Sequence, residues 1–519
     1  MRLAQARRTG RWTTMSLADF MPRLFGQLPA IQVVLPMITA PLCVVLHRSR
    51  PAWTVTLAVL WTSFAIAVAQ LQHALAYGTM SYHVGGWAPP IGIELRIGPL
   101  NAFVLVIVTA IAAVVLSGCR AALIDEVPES RHHLFFAGFL LCLTGLLGMT
   151  STGDAFNVFV FLEISSLATY GLVALGKNRR ALTAAFQYLV MGTLGGTFFL
   201  LGLGMLYMVT GTLNIIDLGA RLAALDSGAG GVNRTVLVVL ACIVVGTGIK
   251  VALFPLHIWL PNAYTYAPEL VTAFVAGAST KVAFYVMATF IFRIFGHELA
   301  FGRLRLDAAL LPLALAAMFI ASTVAIFERD VKRLLAFSSL AQIGYMVLGL
   351  SFASVAGLTG AVVHIFNHAV IKSGLFLAVA AMVITTGSTR LDALAGIGRR
   401  MPWTMAAFVV GGLGLIGVPL TTGFISKWYL VLAALEAGIW PVAVLVLLSS
   451  LLAVIYVWRV VEVAYFQAPP EDAGRREAPL GLLIPVWILA GATLYFGVFT
   501  GATAAVARRA AELLLGGGL

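Results

Sequence analysis

Charge is what this chain has least of. Lysine, arginine, aspartate and glutamate make up 10% of its 519 residues, against about 25% in ordinary soluble domains. So few charges cannot cover the surface of a water-soluble fold of this size. Cysteine is scarce too. Cys43, Cys119, Cys142 and Cys242 are isolated and lie in or beside apolar runs, without the spacing of a metal or redox pair, so they read as space-filling residues. No nucleotide, flavin, haem or iron–sulphur motif occurs, so no cofactor is expected and the chain itself is not read as an enzyme. The opening MRLAQARRTGRWTTM is basic with no apolar core behind it, so no secretory signal is expected, and Met1 and Met15 are both candidate starts.

What fills the chain instead is apolar sequence: 61% of residues are hydrophobic and the mean hydropathy is +0.98. Runs near the roughly 20 residues that cross a bilayer as helix recur throughout. They predict an all-α membrane protein of about 14 spans, near 28–46, 52–71, 99–118, 133–150, 155–175, 183–210, 235–267, 271–293, 307–327, 334–354, 357–386, 404–436, 440–466 and 480–506. Residues 1–27 then form an N-terminal extension, 28–506 a single polytopic membrane domain, and 507–519 a C-terminal tail. Between spans 2 and 3, the Gly- and Pro-punctuated alternation of HALAYGTMSYHVGGWAPPIGIELRIGPL predicts a short β-hairpin, with His73 and His83 as loop residues.

The net charge of +12 resides in short loops and not in a block, which makes it a topology signal and not a nucleic-acid footprint. One set of loops holds Arg48, Arg50, Arg120, Arg131, Lys177, Arg179, Arg180, Arg329, Lys332, Arg333, Arg390, Arg399, Arg400, Arg475 and Arg476. The other holds Arg96, Arg221, Arg234, Arg293, Arg303 and Arg305. The first set is expected to be cytoplasmic, with both termini outside.

Spans 7 and 12 are too long for one straight helix, and each has an interior proline, Pro255 in VALFPLH and Pro419 in LIGVPLTTGF. Proline removes a helix hydrogen bond, and bare backbone at membrane depth survives only against protein or a watery cavity. Two broken spans at corresponding places point to an ion pathway between inverted five-helix repeats. The repeats are expected over spans 4–8 (133–293) and spans 9–13 (307–466).

Lys250, Lys281, Lys372, Lys427 and Arg459 remain inside spans. Each cation at a helix centre costs roughly 2.5–3.5 kcal/mol on insertion scales, so the four lysines are read as functional; Arg459, near the end of its span and close to Glu462, is read as structural. Glu163 is a lone carboxylate in span 5 that needs a cation, and Lys250, just before the span 7 break, is the candidate, with the freed carbonyls and a cavity there to accommodate it. HIFNHAVIKSGLFLAV places His364, His368 and Lys372 at i, i+4 and i+8 on one helix face. Imidazoles beside a lysine can hand protons on through water. A zinc site is the competing chemistry for the two histidines, but the third group is a lysine and the run has no carboxylate or cysteine. His257 is expected at the span 7 hinge. Glu163, Lys250, Lys281, Lys372 and Lys427 can form a polar line through both halves.

GIKVALFPLHIWLPNAYTYAP, AGASTKVAFY, ERDVKRLLAFSSLAQIGYM, HIFNHAVIKSGLFL and GVPLTTGFISKW together resemble the antiporter-like proton-translocating membrane subunits shared by respiratory complex I, membrane-bound hydrogenases and Mrp cation/proton antiporters. The resemblance covers nearly the whole chain beyond the first two dozen residues. It implies a coupled pair for Glu163 and Lys250, a central proton path through Lys281, His364, His368 and Lys372, and a gate at Lys427. STGDAFNVFVFLEISSLATYGLVALGKN resembles the D-type subunit of Mrp antiporters. WLPNAY departs from the family in having Asn262 and Tyr264 where an acid and a histidine are common. The expectation is a proton-conducting subunit of a multisubunit Na+/H+ antiporter in a bacterial inner membrane, working with other membrane subunits. The alternative is a pump module of a complex I or hydrogenase type assembly, with redox catalysis in other subunits; a third reading is a scaffold whose polar line is vestigial.

Overall fold

A computed structural model describes residues 17–118, 122–123, 126–226, 234–469 and 476–516. Met1, Met15, Cys119, Arg120 and Arg475 lie outside them. The protein is a bundle of membrane-length helices, which we number by crossing: α1 (Leu17–Leu46), α2 (Ser49–Ala76), α3 (Pro99–Ser117), α4 (His132–Ser151), α5 (Ala155–Ala174), α6 (Arg180–Thr210), α7a (Arg234–Val251) and α7b (Trp259–Tyr266), α8 (Glu269–Thr289), α9 (Leu306–Phe327), α10 (Val331–Ser351), α11 (Val355–Thr386), α12a (Pro402–Ile416) and α12b (Thr422–Glu436), α13 (Trp440–Phe466), and α14 (Leu480–Val498). Thirteen helices among the described residues are long and apolar enough to cross a membrane; α12, split into two halves of 15 residues, makes the remaining crossing.

The helices start where a side chain can take an orphan amide. Asp154 Oδ1 accepts from Asn157 N at 2.7 Å to open α5, Asp330 Oδ1 from Arg333 N at 3.0 Å to open α10, and Ser354 Oγ from Gly357 N at 3.1 Å to open α11. With lipid outside, burial separates central from peripheral helices. The most apolar stretches of α8 and α10 are 94% buried, against 39% for α1, α6, α9, α13 and α14. Central α11, 32 residues long, packs against α8, α10, α12a, α12b and α14.

The expected hairpin is present: β1 (Met80–His83) pairs antiparallel with β2 (Glu94–Ile97), Met80 opposite Ile97 and His83 opposite Glu94. Buried Glu94 ties it down, accepting from Ser81 Oγ at 2.7 Å, Arg96 Nη1 at 3.2 Å and Asn214 Nδ2 at 3.2 Å.

Three expectations are corrected. His73 is not in the loop but in the last turn of α2, its ring between Phe25 and Tyr77. The last crossing ends at Val498 and not near 506; a separate amphipathic helix, α15 (Gly501–Leu514), then packs on α11 and α3. Lys332 and Arg333 belong to α10 and not to the loop before it.

Candidate functional site

Both prolines sit where the chain leaves the helix. After α7a, Ala252 takes a left-handed conformation (φ 64°) and the chain runs non-helically past Pro255 to Trp259. The Ile249 carbonyl is taken by the Trp259 indole, whose Nε1 donates at 2.8 Å. After α12a, Gly417 (φ 87°) and Leu420 (φ 71°) carry the chain past Pro419 into α12b. The two breaks use their lysines differently, which corrects the expectation for Lys250.

Lys250, on the last turn of α7a, takes no freed carbonyl. Its Nζ donates to three groups of α5: Ser166 Oγ at 2.8 Å, Glu163 Oε1 at 3.4 Å and Tyr170 Oη at 3.5 Å. The ammonium is buried, but the Glu163 side chain is 26% exposed. The carboxylate stands in the space left by Gly196 of α6, where an added Cβ would lie 2.5 Å from Oε1. The pair thus lies at the edge of α5, with its acid toward the outside of the bundle.

Lys427 is the lysine that uses a break. From α12b its Nζ donates back to the carbonyls of Ile416 at 2.7 Å and Leu415 at 3.2 Å, and to Ser450 Oγ of α13 at 2.9 Å. The carbonyl end of a half-helix carries partial negative charge, so a cation is favourable there. The ammonium also lies 4.8 Å from the Tyr345 ring centroid.

A row of buried groups runs inward from Lys427 toward α8, apart from the contacts that Lys250 makes with α5. The Tyr345 ring is 5.6 Å from that of His364, and His364 is 6.1 Å from His368 with planes 16° apart. His364 Nδ1 pairs with Ser426 Oγ at 2.8 Å, while its Nε2 and both nitrogens of His368 have no hydrogen-bond partner in the described structure. Unpaired buried imidazole nitrogens call for water. Lys372 Nζ donates to Ser338 Oγ at 2.8 Å and to the Leu335 carbonyl at 2.9 Å of α10. Lys281, fully buried in α8, donates to the Ala276 carbonyl and to Thr280 Oγ1 at 3.3 Å. Lys281, Lys372 and His364 all lie within electrostatic reach of His368. His257 lies in the α7 break, stacked on Phe254 at 5.3 Å, and shares none of the groups that hold Lys250.

This row of lysines and histidines, and the Glu163–Lys250 pair beside the other helix break, lie within a matched sequence family. Residues 152–453 match the family described as NADH:quinone oxidoreductase/Mrp antiporter, transmembrane. The chain belongs to this family. It is 41% identical over 493 residues to a protein named as the N subunit of NADH-quinone oxidoreductase from Desulforudis audaxviator, covering 91% of this chain and 96% of that one. It is 31% identical over 423 residues to a protein named as the D-type subunit of an Na(+)/H(+) antiporter from Alkalihalophilus pseudofirmus, covering 81% and 83%. Among solved structures it is similar to a chain of the Mrp complex from Dietzia sp., with a TM-score of 0.85, 26% identity, and coverage of 95% and 98%. The chain is therefore an antiporter-like membrane subunit of the kind found in Mrp, complex I or related assemblies.

Several partners of this family member's buried charges escape a reading of sequence alone. Ser166, Tyr170, Ser338, Tyr345, Ser426 and Ser450 each touch one of them, and Tyr456 extends Ser338 at 3.1 Å. Hydroxyls are tolerated in any membrane helix, where they can back-bond to the preceding turn, so only position marks these. Asn262 joins two other elements, donating to Gln187 Oε1 at 2.7 Å and accepting from Arg333 Nη1 at 2.9 Å. Lys332 is a second miss. Its Nζ makes a buried ion pair with Glu269 Oε1 at 3.0 Å and donates to the Ala267 carbonyl at 2.7 Å.

Proposed function

We propose that the chain is the proton-conducting subunit of a multisubunit monovalent cation (Na+)/H+ antiporter in a bacterial inner membrane. The observation that carries the proton reading is the buried row from Lys427 through Tyr345, His364 and His368 to Lys372 and Lys281; in this reading the Glu163–Lys250 pair feeds it from the α5 side. Cations are costly inside a membrane and persist there for function. In this reading α4–α8 and α9–α13 are two copies of one unit. Five helices per unit make the second run opposite to the first, as inverted repeats require, and each unit breaks its fourth helix beside a lysine.

Glu163 acts on Lys250 through its charge. At 3.4 Å and an effective dielectric of about 20, a unit pair is worth about 5 kcal/mol, enough to decide whether the lysine holds its proton. Glu163 lies toward the bundle edge, so a neighbouring protein that moves it away from Lys250 releases that proton into the row. Directional transfer follows if the two ends of the row open alternately to water.

The second reading, a pump module of a redox assembly, is favoured by the 41% identity to a protein named as part of a quinone oxidoreductase. The antiporter reading rests on the likeness of α5 to the D-type Mrp subunit and on the fold shared with the Dietzia Mrp chain. Expression of the complete operon in a sodium-sensitive strain separates them. The antiporter reading expects growth rescue and fluorescence dequenching in everted vesicles on addition of Na+, K+ or Li+, and loss of that signal in Lys250→Ala without loss of assembly. Proton movement that needs a quinone or electron donor and ignores the cation overturns it in favour of the pump.

A further inference from the structure

On the arginine-rich face, the connections between α3 and α4, α5 and α6, and α7b and α8, with the end of α11, enclose a cavity of about 500 Å3. Its lining includes Glu126, Glu269, Asp330, Lys332 and Thr389. The carboxylates are not equivalent. Asp330 spends Oδ1 on the α10 cap and Oδ2 on the Thr389 hydroxyl. Glu126 Oε2 accepts the Glu269 amide at 2.8 Å. Glu269 gives Oε1 to Lys332, but its Oε2 is buried without a hydrogen-bond partner in the described structure, in a residue only 5% exposed. An orphaned carboxylate oxygen at a cavity of this size calls for water or a proton.

The site lies close to the buried row. Lys332 opens α10, and one turn further along, a rise of about 4.5 Å, the Leu335 carbonyl holds Lys372 Nζ at 2.9 Å. A metal ion fits poorly. The Lys332 ammonium is 3.0 Å from the carboxylate, and among the described residues no three His, Cys, Asp or Glu side chains gather as ligands. A proton fits well, because its transfer between Glu269 and Lys332 leaves the pair's summed charge unchanged.

We propose that Glu269 and Lys332 form a proton-exchange port through which water of this cavity loads and unloads Lys372 from the arginine-rich face. Glu269 Oε2 takes a proton from cavity water, Lys332 yields its own proton inward, and the Glu269 carboxyl then turns to hand the single proton it holds to the neutral Lys332 amine, while water between Lys332 and Lys372 carries the released proton on. The port rests on the proton-conducting reading of the buried row, but not on whether the assembly is an antiporter or a redox pump.

The test uses the purified complete complex in proteoliposomes, with proton uptake driven by an imposed membrane potential, so that neither a cation gradient nor a redox donor is needed. Glu269→Gln, Glu269→Asp and Lys281→Ala are compared with the unaltered complex. The expected result is a loss of roughly tenfold or more in Glu269→Gln, near-normal uptake in Glu269→Asp, and loss in Lys281→Ala. Normal uptake in an assembled Glu269→Gln complex, with Lys281→Ala inactive, overturns the port and leaves the conduction reading standing. Uptake indifferent to Lys281→Ala as well overturns both. If Glu269→Gln does not assemble, Glu269→Cys is made in a chain carrying Cys119→Ser. A membrane-impermeant thiol reagent bearing a carboxylate, added from the arginine-rich face, then restores uptake while its trimethylammonium counterpart does not; equal behaviour of the two reagents overturns the port.

Discussion

Lys427→Arg is expected to assemble normally and to lose proton conduction by roughly a hundredfold or more. Lys427 donates to the carbonyls of Ile416 and Leu415 and to Ser450 Oγ, at 2.7, 3.2 and 2.9 Å, so it closes the carbonyl end of α12a. An arginine brings more donors to the same carbonyls and keeps the favourable charge at the half-helix end. The break therefore remains satisfied, and the complex folds. A guanidinium does not give up its proton in a protein, so the last station of the row can no longer be emptied. Lys427→Met separates the two roles in the other direction. It cannot carry a proton and also strips hydrogen bonds from buried carbonyls, at about 1–3 kcal/mol for each orphaned group, so it should lose conduction and stability together. Proton uptake by the reconstituted complex, beside the yield of assembled complex, reads both. Conduction at the normal rate in the arginine variant means that Lys427 only plugs the break.

The costly groups are legible in the sequence and the cheap ones are not. Lys250, Lys281, Lys372 and Lys427 stand out because apolar helices rarely carry cations, and the i, i+4, i+8 spacing places His364, His368 and Lys372 on one stripe; His364 and His368 are stacked in the structure. The partnership of Glu163 with Lys250 follows from scarcity, since few cations are available to meet that acid. Serines and tyrosines cost little anywhere, so Ser166, Tyr170 and Tyr345 carry no signal. Lys332 misleads for a different reason. It follows Asp330 by two residues in a short charged turn, and a buried first-turn lysine looks the same in sequence as a solvated loop lysine; only the pairing with Glu269, 63 positions away, tells them apart. The end of α14 is hidden because the apolar run continues through Phe499 to Val506 without a charge, and the turn there shows only in the backbone. Pro255 and Pro419 mark both breaks, but not what fills each: the indole of Trp259 serves the first and Lys427 the second.

Gly423→Ala is expected to destabilise the fold by about 3 kcal/mol or more, a cost in the range of severe overpacking. Gly423 lies on the first turn of α12b, which doubles back so closely on α12a that an added Cβ would sit 1.8 Å from the Gly414 carbonyl oxygen. That obstacle is backbone, which no rotamer change can relieve. The break is hemmed in from the other side by α14, where a Cβ on Gly497 would lie 2.4 Å from the Leu420 carbonyl oxygen, so α12b cannot move away freely. Any shift that accommodates the methyl also draws Lys427, one turn along α12b, from the carbonyls it closes, and loss of conduction should accompany loss of stability. Gly491→Ala supplies the control: that glycine is exposed within α14 and an added Cβ meets nothing within 4 Å, so the same substitution should be neutral or slightly stabilising. Unfolding of the two variants by detergent titration makes the comparison. If Gly423→Ala unfolds with Gly491→Ala, the two halves of α12 do not pack as closely as described, and the seat assigned to Lys427 is wrong.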